Sequence, residues 1–219
     1  MEIPRSFKKK ILNLIKLFNN ILLFYIKKNR RKYLINTDFS IVAPNCWWWF
    51  IYKYFGLKYN TPFVGLFLYL EDYILLLENF EYFMRDSVLS FIPPEQSKYF
   101  LHIKSSKYFP YPIGLLDGRI EIHFLHYLSQ EEAKIKWNTR TKRLNFDNLL
   151  VKLSETHDCT LDIKKRFNLL PFKNKICLYH SDYNYTNCIL LKSENCMDWK
   201  DEWKFSKSQN LVAILNGLK

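Results

Sequence analysis

The chain has 219 residues, 48% apolar and 18% aromatic, with 33 Lys and Arg against 21 Asp and Glu and a formal charge of +12. That composition excludes an intrinsically disordered chain and suffices for one full hydrophobic core. The five glycines form neither G-x-G-x-x-G nor a Walker loop, which excludes glycine-rich architectures and the familiar nucleotide fingerprints.

Residues 1–34 carry ten basic side chains against Glu2 alone, a local +9 that leaves only +3 for the rest. A nucleic-acid-binding domain is expected to carry its positive stripe on the folded body, so no specific nucleic-acid partner is expected. Within this leader the uncharged run Leu17 to Ile26 is too short to span a bilayer, which needs about 20 apolar residues. It is followed by Lys27-Lys28-Asn29-Arg30-Arg31 and no small-residue cleavage site, so a secretory signal is disfavoured and the leader is expected to stay on. Phe7, Ile11, Leu14, Ile15, Phe18, Leu22, Tyr25 and Ile26 recur at helical spacing, so residues 1–36 read as a basic amphipathic helix. Two uses stand open: docking on an anionic membrane surface, or packing against the core or a second copy of the chain.

Residues 37–219 read as a single α/β domain. Phe39 to Ala43 is a strand stopped by Pro44-Asn45, and the aromatic run Cys46 to Phe55 is a helix ending at Gly56. Phe63 to Leu70 fits a buried strand or a helical turn, Glu71 to Met84 a helix, and Val88 to Ile92 a strand ended by Pro93-Pro94. Tyr99 to Ile103 is expected as a strand. Ile113 to Leu116, Asp117-Gly118 and Arg119 to His126 have the form of a two-residue hairpin, with Glu121 and His123 on one face and Ile120, Ile122, Phe124 and His126 on the other. Ser129 and Glu132 form a capping box for a helix to about Arg143. Asn148 to Leu153 is a strand with the polar exit loop Glu155 to Cys159, Thr160 caps the next helix, and Lys175 to Tyr179 is a further strand. Strand-helix-strand units in this order predict a three-layer α/β fold, with a mostly parallel sheet and an inserted antiparallel hairpin.

Cys46, Cys159, Cys177, Cys188 and Cys196 are odd in number and contain no C-x-x-C pair, so neither a disulfide framework nor a zinc site is indicated. Five reduced thiols in a cytoplasm is the simplest expectation.

The stretch from Phe39 to Trp47, followed by Gly56 to Phe67, resembles the opening motif of the bacterial domain-of-unknown-function 1919 family. Tyr111-Pro112-Ile113-Gly114, Glu121 to Tyr127, Trp137 to Arg140, Asn148 to Lys152 and Leu170 to Lys175 are similar to its later blocks, so the likeness covers about residue 38 to the C-terminus. The resemblance implies a protein of exopolysaccharide biosynthesis or an acyltransferase. One departure is visible: Trp48 and Trp49 stand where the family usually has two glycines, and two indoles oppose a close backbone approach by a ligand.

On that resemblance, acyl transfer to a sugar hydroxyl is the first expectation. Cys46, after a strand and at a helix start, is the candidate nucleophile, because a helix N-terminus favours a thiolate. His126 is the first candidate base and His123 the second, with Asp158 to orient the imidazole and Asn45 to donate to an oxyanion. The competing reading makes these residues ordinary packing groups. His123-x-x-His126 lies on a strand that sends the two rings to opposite faces, so no metal site is expected. No cofactor motif is evident, and acyl-CoA or a similar thioester is the donor class implied. The second expectation is a non-catalytic component that binds a lipid-linked or nucleotide-linked saccharide. Lys136, Arg140, Arg143 and Lys152 would then grip phosphate, and exposed tryptophans among Trp47, Trp48 and Trp49 would stack on sugar rings.

Overall fold

The computed structural model describes residues 5–106, 108–186, 188–192 and 209–218; Cys196 lies outside them. Helix α1 (Arg5–Arg31) precedes strand β1 (Ser40–Val42), helix α2 (Trp49–Phe55), helices α3 (Leu70–Glu78) and α4 (Phe80–Arg85) and strand β2 (Leu89–Ile92). Helix α5 (Phe100–Ile103), strands β3 (Ile113–Leu116) and β4 (Ile120–His123), helix α6 (Gln130–Thr141) and strand β5 (Leu149–Ser154) follow. Helix α7 (Leu161–Leu169), strands β6 (Lys175–Tyr179) and β7 (Ile189–Lys192) and helix α8 (Gln209–Gly217) complete the order.

The four strands β1-β5-β6-β7 form one parallel sheet, and β2-β3-β4 form a separate antiparallel sheet. The mostly parallel sheet and the antiparallel hairpin of the sequence pattern are both present, the hairpin forming a separate sheet with β2. The hairpin pairs with β2 because Leu89 to Ile92 has backbone groups to satisfy and β3 offers its free edge. Leu116 pairs with Ile120, so three residues rather than two lie between the hairpin strands, with positive φ at Asp117 and Gly118.

Alternation sends parallel-strand side chains into two cores. Ile41, Leu150, Ile176 and Leu178 pack with Phe50, Ile51 and Phe55 of α2 and Leu211 and Leu215 of α8. Val42, Val151, Leu153 and Cys177 pack with α3, α6, α7 and the inner face of the antiparallel sheet. Helices thus cover both faces of the parallel sheet, as the three-layer reading predicts.

Several elements differ from the pattern-based reading. Tyr99 to Ile103 is not a strand: Ser97 starts a helical turn by accepting from Tyr99 N–H through its side chain, and residues 100–103 are helical. The helix over Glu71 to Met84 breaks at Asn79. Phe63 to Leu70 is irregular but stitches the sheets together, since Phe67 exchanges backbone hydrogen bonds with His123 while Leu68 N–H donates to Pro44 O at 2.8 Å. β7 and α8 are additions to the elements expected from the sequence. The caps follow sequence: Ser129 Oγ accepts from Glu132 N–H and Thr160 Oγ1 from Ile163 N–H.

Two polar side chains hold the sheet from the sides. The Tyr73 hydroxyl, from α3, meets Val42 O at 2.9 Å and Lys152 O at 2.8 Å, tying β1 to β5. Lys175, buried at the start of β6, donates to the carbonyls of Phe167, Asn168 and Leu170, where α7 leaves its last acceptors unsatisfied.

Helix α1 docks on the body by its last turns only. Arg31 donates from Nε to Phe55 O (3.2 Å) and from Nη2 to Gly56 O (3.0 Å), completing the C-terminus of α2, and Arg30 lies over the Tyr54 ring. Further back, Ile11, Leu14, Ile15, Phe18, Leu22 and Tyr25 share one face and remain 40–68% exposed. At 100° per residue, Lys27 and Arg31, the residues that meet Gly56, fall on the opposite face. The body therefore holds the polar side of α1 and leaves the apolar stripe pointing outward. No described helix is long and apolar enough to cross a membrane.

Candidate functional site

In an open parallel sheet, the ends of the strands' carboxyl edge gather loops that no further strand covers, and ligands bind there. Here that edge is followed by Asn45 and Cys46 beyond β1, Glu155 to Asp158 beyond β5, and His180 and Ser181 beyond β6. Cys46 opens a 3-10 turn that leads into α2. Lys152, near the end of β5, is wholly buried. Its Nζ lies 3.4 Å from Asn45 Oδ1 and 5.3 Å from the centre of the Trp48 ring.

Glu155 is the most heavily bonded acid of this edge. Its carboxylate accepts from His180 N–H (3.1 Å), Ser181 N–H (2.9 Å), Ser181 Oγ (2.8 Å) and the Tyr185 hydroxyl (2.7 Å), and Lys164 Nζ from α7 stands 3.1 Å away. Burial alone would push this carboxyl up; the donors from Tyr185, His180 and Ser181 outweigh it and bring it down to about 2, so Glu155 is a buried anion at neutral pH. The His180 imidazole, 54% exposed, places Nδ1 3.4 Å from Glu155 Oε2.

The residues singled out from sequence are distributed as follows. Asn45, Cys46 and Lys152 are brought to the carboxyl edge. Asp158 is there too, but its Oδ2 accepts from Leu70 N–H (2.9 Å) and its Oδ1 from Thr156 Oγ1, so the carboxylate starts α3 instead of orienting an imidazole. His126 is exposed on the loop after β4, with its ring 5.6 Å from that of Tyr108 and its N–H on Gly65 O. His123 is fully buried among the rings of Phe67, Tyr69, Tyr99 and Tyr111, with Nε2 3.6 Å from Glu121 Oε2 and without a hydrogen bond. Burial, then the nearby Lys98 charge, pushes His123 down to about 4, so it is a neutral core ring. The two histidines do not converge.

The basic row of α6 is likewise divided. Arg140 donates to the Tyr127 hydroxyl (2.6 Å) and lies over Tyr59 and Tyr127, a packing role. Arg143 lines a cleft of about 900 Å³ at the amino edge of the sheet, together with Asp38, Asn145 and Asp147, away from Cys46. Lys136 is exposed on α6. These cations do not form one phosphate grip with Lys152. Nor is Trp48 a sugar platform, because it is 3% exposed within the core; Trp49 is half-buried against Tyr59.

Glu155, His180, Lys164, Ser181 and Tyr185 escaped the sequence argument. The available signal was position: His180 is the first residue beyond β6 and Glu155 the first beyond β5, and the edge rule that singles out Asn45 and Cys46 applies to both.

Fold and site together define an α/β protein whose parallel sheet carries a cysteine, a buried lysine and a buried carboxylate with a histidine along one edge. The chain belongs to the family described as domain of unknown function (DUF1919), which it matches over residues 17–214. It is 32% identical over 160 residues to an uncharacterized protein of Haemophilus influenzae (strain ATCC 51907 / DSM 11121 / KW20 / Rd), covering 73% of this chain and 70% of that protein.

Proposed function

We propose that the protein acts in surface-polysaccharide biosynthesis as an acyltransferase that esterifies a sugar hydroxyl, with an acyl thioester such as acyl-CoA as donor. The substrate class comes from the family resemblance in the sequence motifs. The observation that supports the chemistry is the placement of Asn45 and Cys46 at the carboxyl edge of β1, with Nζ of the buried Lys152 3.4 Å from Asn45 Oδ1. A positive charge near a cysteine favours its thiolate, and an amide N–H₂ can donate to an oxyanion. On this reading the saccharide is lipid-linked or nucleotide-linked, and the protein works in the cytoplasm at the inner face of the membrane, in contact with anionic lipid through α1.

The test is the alkylation rate of Cys46 against pH in the folded protein, with Cys46→Ser as the blank. An apparent pKa well below about 8.5 is expected. An inert or ordinary thiol, together with unchanged polysaccharide acylation in a Cys46→Ala strain, overturns nucleophilic catalysis and leaves a non-catalytic saccharide-binding component.

A further inference from the structure

We propose that His180, positioned by Glu155, is the proton acceptor of the carboxyl-edge site, the group that activates the acceptor hydroxyl. The proposal rests on the acyl-transfer reading for the identity of the substrate, but its geometry stands apart from Cys46.

Glu155 is buried and its carboxylate is fixed from several directions. Backbone N–H groups of residues 180 and 181 hold one oxygen, and Ser181 Oγ, the Tyr185 hydroxyl and Lys164 Nζ hold the other. An acid held so tightly does not turn with its neighbour, so it acts as a fixed reference for the half-exposed imidazole beside it. With Nδ1 3.4 Å from the carboxylate oxygen Oε2, the electrostatically favoured neutral tautomer carries its proton on Nδ1. Nε2, across the ring, then keeps its lone pair. A fixed carboxylate beside an imidazole favours one tautomer of the ring without itself taking the proton.

Ser181 is not the nucleophile of this cluster. Its Oγ donates to Glu155 (2.8 Å) and accepts from Lys164 Nζ (2.9 Å), so both of its roles are filled inside the network. Tyr185 is similarly engaged, its hydroxyl on Glu155 and its side chain buried. What the cluster offers outward is the imidazole of His180. It follows β6, Cys46 follows β1, and β5 lies between them. With strands spaced about 4.8 Å, the two strand axes are roughly 10 Å apart.

The step balances without an added oxidant or reductant. The hydroxyl O–H bond breaks and its proton passes to Nε2. The oxygen forms the ester C–O bond as the thioester C–S bond breaks, and the imidazolium returns the proton to the departing thiolate.

The test uses the full chain. Long-range ¹H–¹⁵N spectra of the imidazoles, with His180 assigned by loss of its signals in His180→Asn, are expected to show the Nδ1–H tautomer in the native protein. Turnover of acetyl-CoA with a saccharide acceptor, and of p-nitrophenyl acetate, is expected to fall at least about 100-fold in His180→Asn, the scale of a lost general base. The ring is half exposed, so this variant retains the fold; Glu155→Gln is the companion and is expected to erase the tautomer preference. A native Nε2–H tautomer overturns the assignment whatever the activity. An active native protein matched within about threefold by His180→Asn overturns the base alone. A native protein inert toward both donors overturns the acyl-transfer reading, and with it the step assigned to His180, even if the tautomer is as expected.

Discussion

Two buried ionisable residues contribute defined steps to how the protein answers acid. His123 takes a proton near pH 6.5 in an unfolded chain, but in the core it resists protonation to about 4. Between those values the unfolded state binds more protons, so stability is full above about 6.5 and is lost as pH falls toward 4. Glu155 is held down from 4.5 to about 2, so its contribution is full above about 4.5 and is lost as pH falls toward 2. Each window is worth about 3 kcal/mol at most. Urea unfolding across a pH series is expected to show both slopes, and His123→Phe is expected to remove the upper one while leaving the lower. A variant that keeps the slope between 6.5 and 4 assigns that dependence to another group. The sequence showed Glu155 as one polar residue of an exit loop and His180 as the residue after a strand; only chain crossing brings Ser181, Tyr185 and Lys164 to the same carboxylate.

At the scale of elements, α1 and its seat on α2 are the most exposed to test. Gly56 has φ +66, and a Cβ there would stand 3.1 Å from both Lys27 Cβ and Arg31 Nη2. Gly56→Ala therefore meets backbone strain and crowding from α1 together, and a loss of about 1–2 kcal/mol in thermal or urea unfolding is expected. The outward stripe of α1 carries a second prediction. A contiguous apolar face of this length, on a helix with no acidic residue, fits an anionic lipid surface, whereas two copies paired through it would set +9 against +9. Full-length protein is expected to co-sediment with phosphatidylglycerol-rich vesicles, and Phe18→Glu with Leu14→Glu to reduce that at least tenfold. Vesicle binding unchanged by the pair, or a dimer that the pair dissociates, assigns the stripe elsewhere. Helical spacing made the amphipathic helix legible from sequence, but which side meets the body depends on where Arg31 finds the open carbonyls of α2, a tertiary fact.

In the whole molecule, two sheets of different kind share one core, and the antiparallel one is tightly packed around Gly114. A Cβ at Gly114 would lie 2.7 Å from Leu89 Cδ1 and 2.7 Å from Phe124 Cε2, so Gly114→Ala is expected to cost about 1–3 kcal/mol in urea unfolding. A loss below about 0.5 kcal/mol shows that the antiparallel sheet yields locally. Tyr73→Phe probes the other joint, where one hydroxyl serves carbonyls of β1 and β5; about 1–2 kcal/mol is expected by the same measurement.

By itself the sequence determined what depends on neighbours in the chain: strands over Phe39 to Ala43, Asn148 to Leu153 and Lys175 to Tyr179, to within a residue or two at their ends, the caps at Ser129 and Thr160, a turn at Asp117-Gly118 and the amphipathic leader. Periodicity, capping and turn chemistry act within a few residues, so they can be read one segment at a time. Only the tertiary structure decided that the hairpin joins β2 in its own sheet, that Asp158 starts α3, that Arg140 packs on Tyr127, and that Glu155 faces His180. Those outcomes depend on which unsatisfied donors and acceptors meet when segments distant in the chain pack together. Local patterning does not carry that information.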